Sequence, residues 1–281
     1  MNVKINTGSP SSPQSAISTL KPLLKWAGGK RWLLPTLQTI WSTCLQKKPA
    51  LKLVEPFAGG LAVALGLNPK QALLGDLNPH LINFYRQVQR GLTISFVPKN
   101  QEAFYYQARE RFNQLIHQKT YRNAEAASLF YFLIRTGFNG LCRFNRQGEF
   151  NVPFGRHHRI HYKTHFLDYQ PTLKDWQFQQ GDFEKLKSLL SGDEFLYVDP
   201  PYDQAFTQYH SQAFSWEDQC RLAQWLSQHP GPVVVSNHAT ERVLKLYKQL
   251  GFKIKLLSAP RRIACNGNRE PVQEMLALGG G

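Results

Sequence analysis

Four consecutive residues, Asp199, Pro200, Pro201 and Tyr202, end the apolar run Phe195-Leu196-Tyr197-Val198. Two adjacent prolines cannot extend a hydrogen-bonded ladder, and each restricts the residue before it, so the chain turns stiffly there. A carboxylate, the Pro200 carbonyl and an aromatic ring held at one corner suit an exocyclic amine on a nucleobase. The lone pair of such an amine is delocalised into its ring, which makes it a poor nucleophile. Two acceptors taking its two N–H groups would localise that lone pair, acting where charge develops in the transition state. Tyr202 would offer a flat face on which an extruded base can stack. Taken alone, the same four residues would also serve as a capped turn with Tyr202 packed on the surface.

Two glycine turns lie upstream. In Glu55-Pro56-Phe57-Ala58-Gly59-Gly60 a strand passes through small residues into a helix, which lets backbone N–H groups approach a ligand. Asp76 closes the next strand, where an acid in nucleotide-binding sheets bonds ribose hydroxyls. A plain tight turn fits these residues equally well. The phosphate-binding patterns GxGxxG and GxxxxGK[ST] are absent, which suits an adenosine ligand without a pyrophosphate. The second turn, Leu23 to Pro35, sets Trp26 and Lys30 around Gly28-Gly29. It reads either as a core turn or as an aromatic wall beside a cofactor pocket.

These groups need elements to position them. Leu51 to Phe57 and Gln71 to Asp76 read as strands with the helix-compatible "LAVALGL" between, and Asn78-Pro79 caps the following helix. The β-turn-α-β pattern predicts a parallel sheet with right-handed crossovers. Apolar side chains at Phe104, Ala108, Phe112, Leu115 and Ile116 form a helical stripe, and a second helix is expected from Ala124 to about Arg135. Beyond it, "TGFNGLCRFNRQGEFNVPFGRHHRIHYK" has no sustained period, as functional or disordered segments do not. The α/β rhythm then returns, with strands expected at Phe195–Asp199, Pro232–Asn237, Phe252–Ser258 and Glu274–Leu278. Helices from about Trp216 to Gln228 and Glu241 to Leu250 separate the first three. The expected organisation is a disordered Ser/Pro/Thr-rich tail (1–20), a sheet domain (21–95 and 175–281) and a basic, mostly helical insertion (96–174).

Lys plus Arg number 34 against 19 for Asp plus Glu, a net charge of +15. That excess points to a polyanionic partner, nucleic acid ahead of an acidic membrane surface, with a generally basic surface as the alternative. No apolar run approaches the roughly 20 residues that span a membrane, and no secretory h-region opens the chain. Cys44, Cys142, Cys220 and Cys265 are scattered without a Cys-x-x-Cys pair, which argues against a zinc site or disulfide framework and fits a reducing cytoplasm.

Together, Trp26 and Lys30, Glu55 to Gly60, Asp76, and Asp199 to Tyr202, in this order with an insertion before the last, resemble the DNA adenine-N6 methyltransferases of the Dam family (D12 class, alpha group). The resemblance runs from about Pro22 to Leu278. It implies a Rossmann-like methyltransferase sheet carrying a target-recognition insertion, with S-adenosylmethionine as cofactor and no metal. It also implies a monomeric enzyme acting on double-stranded DNA, cytoplasmic and nucleoid-associated. Catalysis falls to Asp199, Pro200, Pro201 and Tyr202, and cofactor contacts to Trp26, Lys30, Glu55, Phe57, Gly59, Asp76, Asp182, Phe183 and Asp199. The strings "RTGFNGLCRFN" and "GEFNVPFG" extend the likeness. They imply that Phe138 and Asn139 fill the gap left by a flipped base, and that Leu141, Arg143 and Pro153 contact bases. Arg143 suits guanine O6 and N7. Lys25, Arg135, Arg146, Arg156 and Lys163 are expected on DNA, chiefly at phosphates. The implied reaction is direct in-line attack of adenine N6 on the cofactor methyl, within GATC. One departure stands out: the family reads F-x-G-S-G, whereas Leu61 replaces the last glycine here, so a shifted or tighter cofactor turn is expected.

An RNA or protein amine is the alternative substrate, although the protein-glutamine type would carry Asn in place of Asp199. A non-catalytic DNA-binding relic is the other alternative. His238 is read as structural at the end of a buried strand, and Arg261 to Glu270 as a loop that touches phosphate or forms a surface hairpin.

Overall fold

Leu53–Glu55 (β1) and Ala72–Asp76 (β2) lie parallel, joined through Ala62–Leu67 (α2), with Leu34–Lys47 (α1) preceding them. The computed structural model describes residues 20–202, 214–259 and 272–280; most of the expected tail and the Arg261 to Glu270 loop lie outside them. From β2 the chain enters Pro79–Gln89 (α3), whose N-terminus Asn78 caps by accepting from His80 and Leu81 N–H at 3.0 and 3.2 Å. The insertion helices Glu102–His117 (α4) and Ala124–Thr136 (α5) follow. Gln170–Leu173 (α6) then leads into Trp176–Gln180 (β3), Glu184–Lys187 (α7) and Phe195–Val198 (β4). The chain closes with Trp216–Ser227 (α8), Val233–His238 (β5), Glu241–Gln249 (α9), Lys253–Ala259 (β6) and Val272–Gly279 (β7).

The seven strands form one sheet in the order β3-β2-β1-β4-β5-β7-β6. The chain winds outward from β1 to β3, returns to β4, and winds the other way. β1 and β4 therefore flank the switch point, where open α/β sheets bind ligands beyond the strand ends. Burial alternates with period two: Leu53, Phe195 and Tyr197 join the core on the α1–α5 side, and Val54, Leu196 and Val198 the core on the α8–α9 side. Apolar side chains on both faces explain why these strands read as continuous hydrophobic runs.

Strands β1 to β5 run parallel, as expected from the β-turn-α-β pattern, and β7 inserts antiparallel between β5 and β6 to make the sheet mixed. Two readings need correction. Strand β3 was not expected, because Trp-Gln-Phe-Gln-Gln is mostly polar; as an edge strand it buries Trp176 and Phe178 while its glutamines remain more open. The insertion is less helical than expected. Beyond α5, residues 137–166 hold only a 3-10 turn (Phe138–Gly140) and isolated bridges such as Phe144 with Phe150. Asparagines do the work of a ladder there: Asn113 accepts the Phe150 N–H at 2.8 Å, and Asn145 accepts those of Gln147 and Glu149. Helix α5 is buried from Ala126 to Ile134, and the insertion shares one core with the sheet. No helix among the described residues is long and apolar enough to cross a membrane.

Candidate active site

Strand β1 delivers Glu55 into a tight turn. Gly59 has φ +47° and Leu61 φ +56°, so the leucine takes a left-handed conformation that favours glycine. That conformation costs about 1–2 kcal/mol, comparable with the gain from burying the Leu61 side chain in the core. The Trp26 side chain covers the turn: a Cβ on Gly59 would stand 3.0 Å from its indole nitrogen, and one on Gly60 2.9 Å from its Cβ. Asp76, at the tip of β2, accepts the Gly59 N–H at 3.1 Å and the Asn78 N–H at 2.9 Å. The two upstream motifs are thereby one structure. Burial raises the Asp76 pKa, against the lowering effect of those two N–H groups.

Glu55 is buried, and its Oε1 has no hydrogen-bond partner. Burial, and then the charge of Asp199, push its pKa well up. An orphaned carboxylate oxygen at a switch point fits a cationic ligand.

Asp199 follows β4 directly. Both of its carboxylate oxygens accept from Lys30 Nζ, at 2.7 and 2.9 Å, and Oδ1 also accepts from Ser236 at 3.1 Å. Ser236 is in turn bonded to the Tyr197 hydroxyl at 2.8 Å. Lys30, only 4% exposed, also meets the Tyr202 hydroxyl at 2.7 Å and Glu274 at 3.3 Å, and Tyr202 donates to Glu274 at 3.1 Å. Burial alone would lower the Lys30 pKa, but Asp199, Tyr202 and Glu274 outweigh it and hold the amine firmly protonated. Lys30, expected on the cofactor, thus has Asp199 and Tyr202 as its close partners. The His238 ring stacks on Tyr202 at 6.0 Å, with its Nδ1 buried and unpartnered.

Phe57 extends the turn toward Phe183 at 5.8 Å and Phe214 at 5.6 Å. Phe183 is held between the Trp225 ring, 5.9 Å away, and the Arg221 guanidinium, 4.6 Å away. Arg221 also binds the Asp182 carboxylate at 3.0 and 3.3 Å, so the expected Asp182-Phe183 pair is fixed from α8.

The insertion meets the sheet beside these motifs. A Cβ on Gly140 would stand 2.7 Å from the Lys25 carbonyl, and Asn78 donates to Cys142 Sγ at 3.3 Å. Phe138 and Asn139 protrude from the 3-10 turn, Phe138 being 48% exposed and Asn139 left-handed at φ +52°. Pro153 lies next to them, its carbonyl accepting the Phe138 N–H at 2.9 Å. Leu141 packs partly against the core, while Arg143 is exposed and braced by Asn151 through bonds of 2.8 and 3.2 Å. The basic residues divide. Arg146 is exposed, Arg156 is exposed with Glu102 at 3.6 Å, and Lys163 pairs with Asp168 at 2.8 Å. Arg135 departs most from a phosphate contact, because its guanidinium binds the Leu23 and His161 carbonyls at 3.5 and 2.6 Å and ties insertion to N-terminal segment.

Sequence reasoning missed Glu274, Ser236, Tyr197 and Arg221. Their signal was faint: an acid opening the apolar run "EMLAL" and a serine in "VVVSNH".

A doubly wound sheet with a Gly-turn after β1, an acid after β2 and an Asp-Pro-Pro-Tyr corner after β4 is the framework of an S-adenosylmethionine-dependent methyltransferase. The comparisons take this further. Residues 26–263 match the model of the D12 class N6 adenine-specific DNA methyltransferases, and the chain belongs to that family. It is 34% identical over 276 residues to the DNA adenine methylase of Escherichia coli strain K12, covering 92% of this chain and 95% of that one. The type II methyltransferase M.MjaIII of Methanocaldococcus jannaschii is 31% identical over 289 residues, covering 92% and 99%. The retron Ec67 DNA adenine methylase of Escherichia coli is 30% identical over 274 residues, covering 93% and 92%.

Proposed function

We propose that the enzyme methylates adenine N6 within GATC in duplex DNA, acting on a base turned out of the helix and transferring the methyl group directly. The observation that carries this is the adjacency of two features. The Asp199–Tyr202 corner sits at the switch point with the orphaned Glu55, and the segment that exposes Phe138, Asn139 and Arg143 is anchored where the buried Gly140 abuts Lys25.

S-adenosylmethionine supplies an activated methyl group on a sulfonium centre. On this reading Trp26, Gly59, Asp76, Phe57 and Phe183 hold the donor. The buried Glu55 carboxyl, whose pKa burial and Asp199 push well up, would ionise against the positive charge of the donor, while Asp199 and Glu274 share the Lys30 ammonium. Asp199 and the Pro200 carbonyl take the two N–H groups of the target amine, and Asp199 is placed to receive the proton that N6 sheds. Tyr202 stacks the base on the face that His238 leaves open. Phe138 and Asn139 fill the vacated position in the duplex, and Arg143 reads a guanine edge.

The test is incubation with unmethylated plasmid and S-adenosylmethionine, followed by mapping of N6-methyladenine by sequencing. Modification at GATC is the expected outcome; methylation at another sequence would move the specificity, and no modified adenine would end the proposal.

Glu55→Gln should weaken S-adenosylmethionine binding by roughly 10- to 100-fold, the worth of a hydrogen bond to a charged group. The same change should raise the melting temperature without cofactor. The sign follows from linkage: the folded-state pKa of Glu55 is raised, so its ionisation destabilises the fold as pH rises above the ordinary carboxylate range. Calorimetric titration and a thermal scan at pH 8 would check both; unchanged affinity would remove Glu55 from the donor site.

Arg143→Ala should relax selectivity at a single base pair, costing about 1–3 kcal/mol there. Competition between cognate and single-substituted duplexes reads this out, and an unaltered preference would show that Arg143 does not read a base.

A further inference from the structure

Glu274 comes to the active site by topology. Because β7 runs antiparallel beside β5, its first residues lie at the end where β5 finishes, and Glu274 pairs in register with His238. On its other side it is in register with Leu257 of β6. The carboxylate is buried, with Lys30 Nζ at 3.3 Å and the Tyr202 hydroxyl at 3.1 Å. A charged side chain in an otherwise apolar strand is costly unless paired, and here it shares one ammonium with Asp199.

That sharing has a consequence for Asp199. A carboxylate offers about four acceptor positions. Lys30 takes one on each oxygen and Ser236 another on Oδ1. One position, on Oδ2, is left for a target amine, and Lys30 lies beside it at 2.9 Å. A second carboxylate on the same ammonium, at 3.3 Å, shares its charge and so weakens the hold of Lys30 on Asp199. It also pins the hydroxyl of Tyr202, and with it the ring.

We infer that Glu274 is a positioning residue for methyl transfer: it holds Lys30 between two carboxylates and fixes the Tyr202 ring, leaving Asp199 able to accept the substrate amine. The inference rests on the proposed roles of Asp199 and Tyr202. Burial raises the Asp199 pKa while Lys30 and Ser236 lower it, and burial together with the Asp199 charge raises those of Glu55, Glu274, Tyr197 and Tyr202. Removing the charge at Glu274 deletes one like charge and gives Lys30 wholly to Asp199, and both effects lower the Asp199 pKa.

The experiment compares full-length Glu274→Gln, Tyr202→Phe and Asp199→Ala with the wild type, using unmethylated plasmid DNA and S-adenosylmethionine. Glutamine keeps an acceptor for the Tyr202 hydroxyl while losing the charge. Glu274→Gln should lower kcat on the order of 10- to 100-fold, the scale of a small misplacement, with KM for S-adenosylmethionine changed less than about threefold. The acid limb of its kcat profile should move to lower pH, which a merely loosened structure would not produce. Near-wild-type kcat with an unmoved acid limb, alongside an inactive Asp199→Ala, would overturn the inference and leave the proposed mechanism intact. An active Asp199→Ala would defeat that mechanism instead. Should Glu274→Gln not fold, Tyr202→Phe decides, since it keeps the ring and removes the hydroxyl that joins Glu274 and Lys30: a loss of kcat is expected, and full activity overturns the inference.

Discussion

Asp199→Ala is expected to cut methyl transfer by at least about 10³-fold while DNA affinity stays within a few-fold of wild type, because on the proposed mechanism the carboxylate acts where charge develops and not in docking the duplex. Its side chain accepts from Lys30 and Ser236, and none of these bonds reaches the insertion. Stability should fall, since the buried Lys30 keeps only Glu274 as a carboxylate partner. A rapid-quench assay with a gel-shift titration separates the two quantities. Retained single-turnover rate would remove Asp199 from the chemistry, whereas lost DNA binding would recast it as structural.

Lys30→Met should abolish activity as well, and it should cost stability. Removing the ammonium leaves Asp199 and Glu274 buried without their shared counter-charge, a loss of about 3–5 kcal/mol for a broken buried pair. The pH dependence distinguishes charge from packing. Without Lys30 the folded-state pKa values of both carboxylates rise further. The folded variant therefore binds protons more tightly than the unfolded chain, and its stability recovers as pH falls. The gap in melting temperature between variant and wild type should thus be wide at pH 8 and narrow by pH 5. An equal gap at both would mean that the lysine contributes through packing of its stem.

The proximity of Lys30 to Asp199 also shows where sequence reasoning had to stop. Trp26 and Lys30 share one glycine turn, which suggests one task for both. In the fold Trp26 lies on Gly59 and Gly60, whereas Lys30 reaches Asp199, 169 positions away in the chain. Arg135 shows the same limit, since a basic residue in a basic segment reads as a phosphate contact until two carbonyls claim its guanidinium.

What the sequence by itself determined was local: the apolar runs of β1, β2, β4 and β5, the Asn78-Pro79 helix start, the glycine turn at Gly59, and the stiff corner at Asp199 to Tyr202. Periodicity, capping and backbone restriction act over a few residues, so they can be read from a few residues. The family match, over residues 26–263, spans these same motifs. Tertiary structure decided the rest. It made a strand of the polar edge segment Trp176–Gln180, because pairing with β2 supplied hydrogen bonds that composition did not advertise. It turned β7 antiparallel and thereby carried Glu274 to the active-site edge. Buried charges are partnered by whatever the fold brings within about 3–4 Å, and those partners come from distant parts of the chain. The stiff corner was legible in four residues; the balance of charge around it exists only where three strand ends and a loop converge.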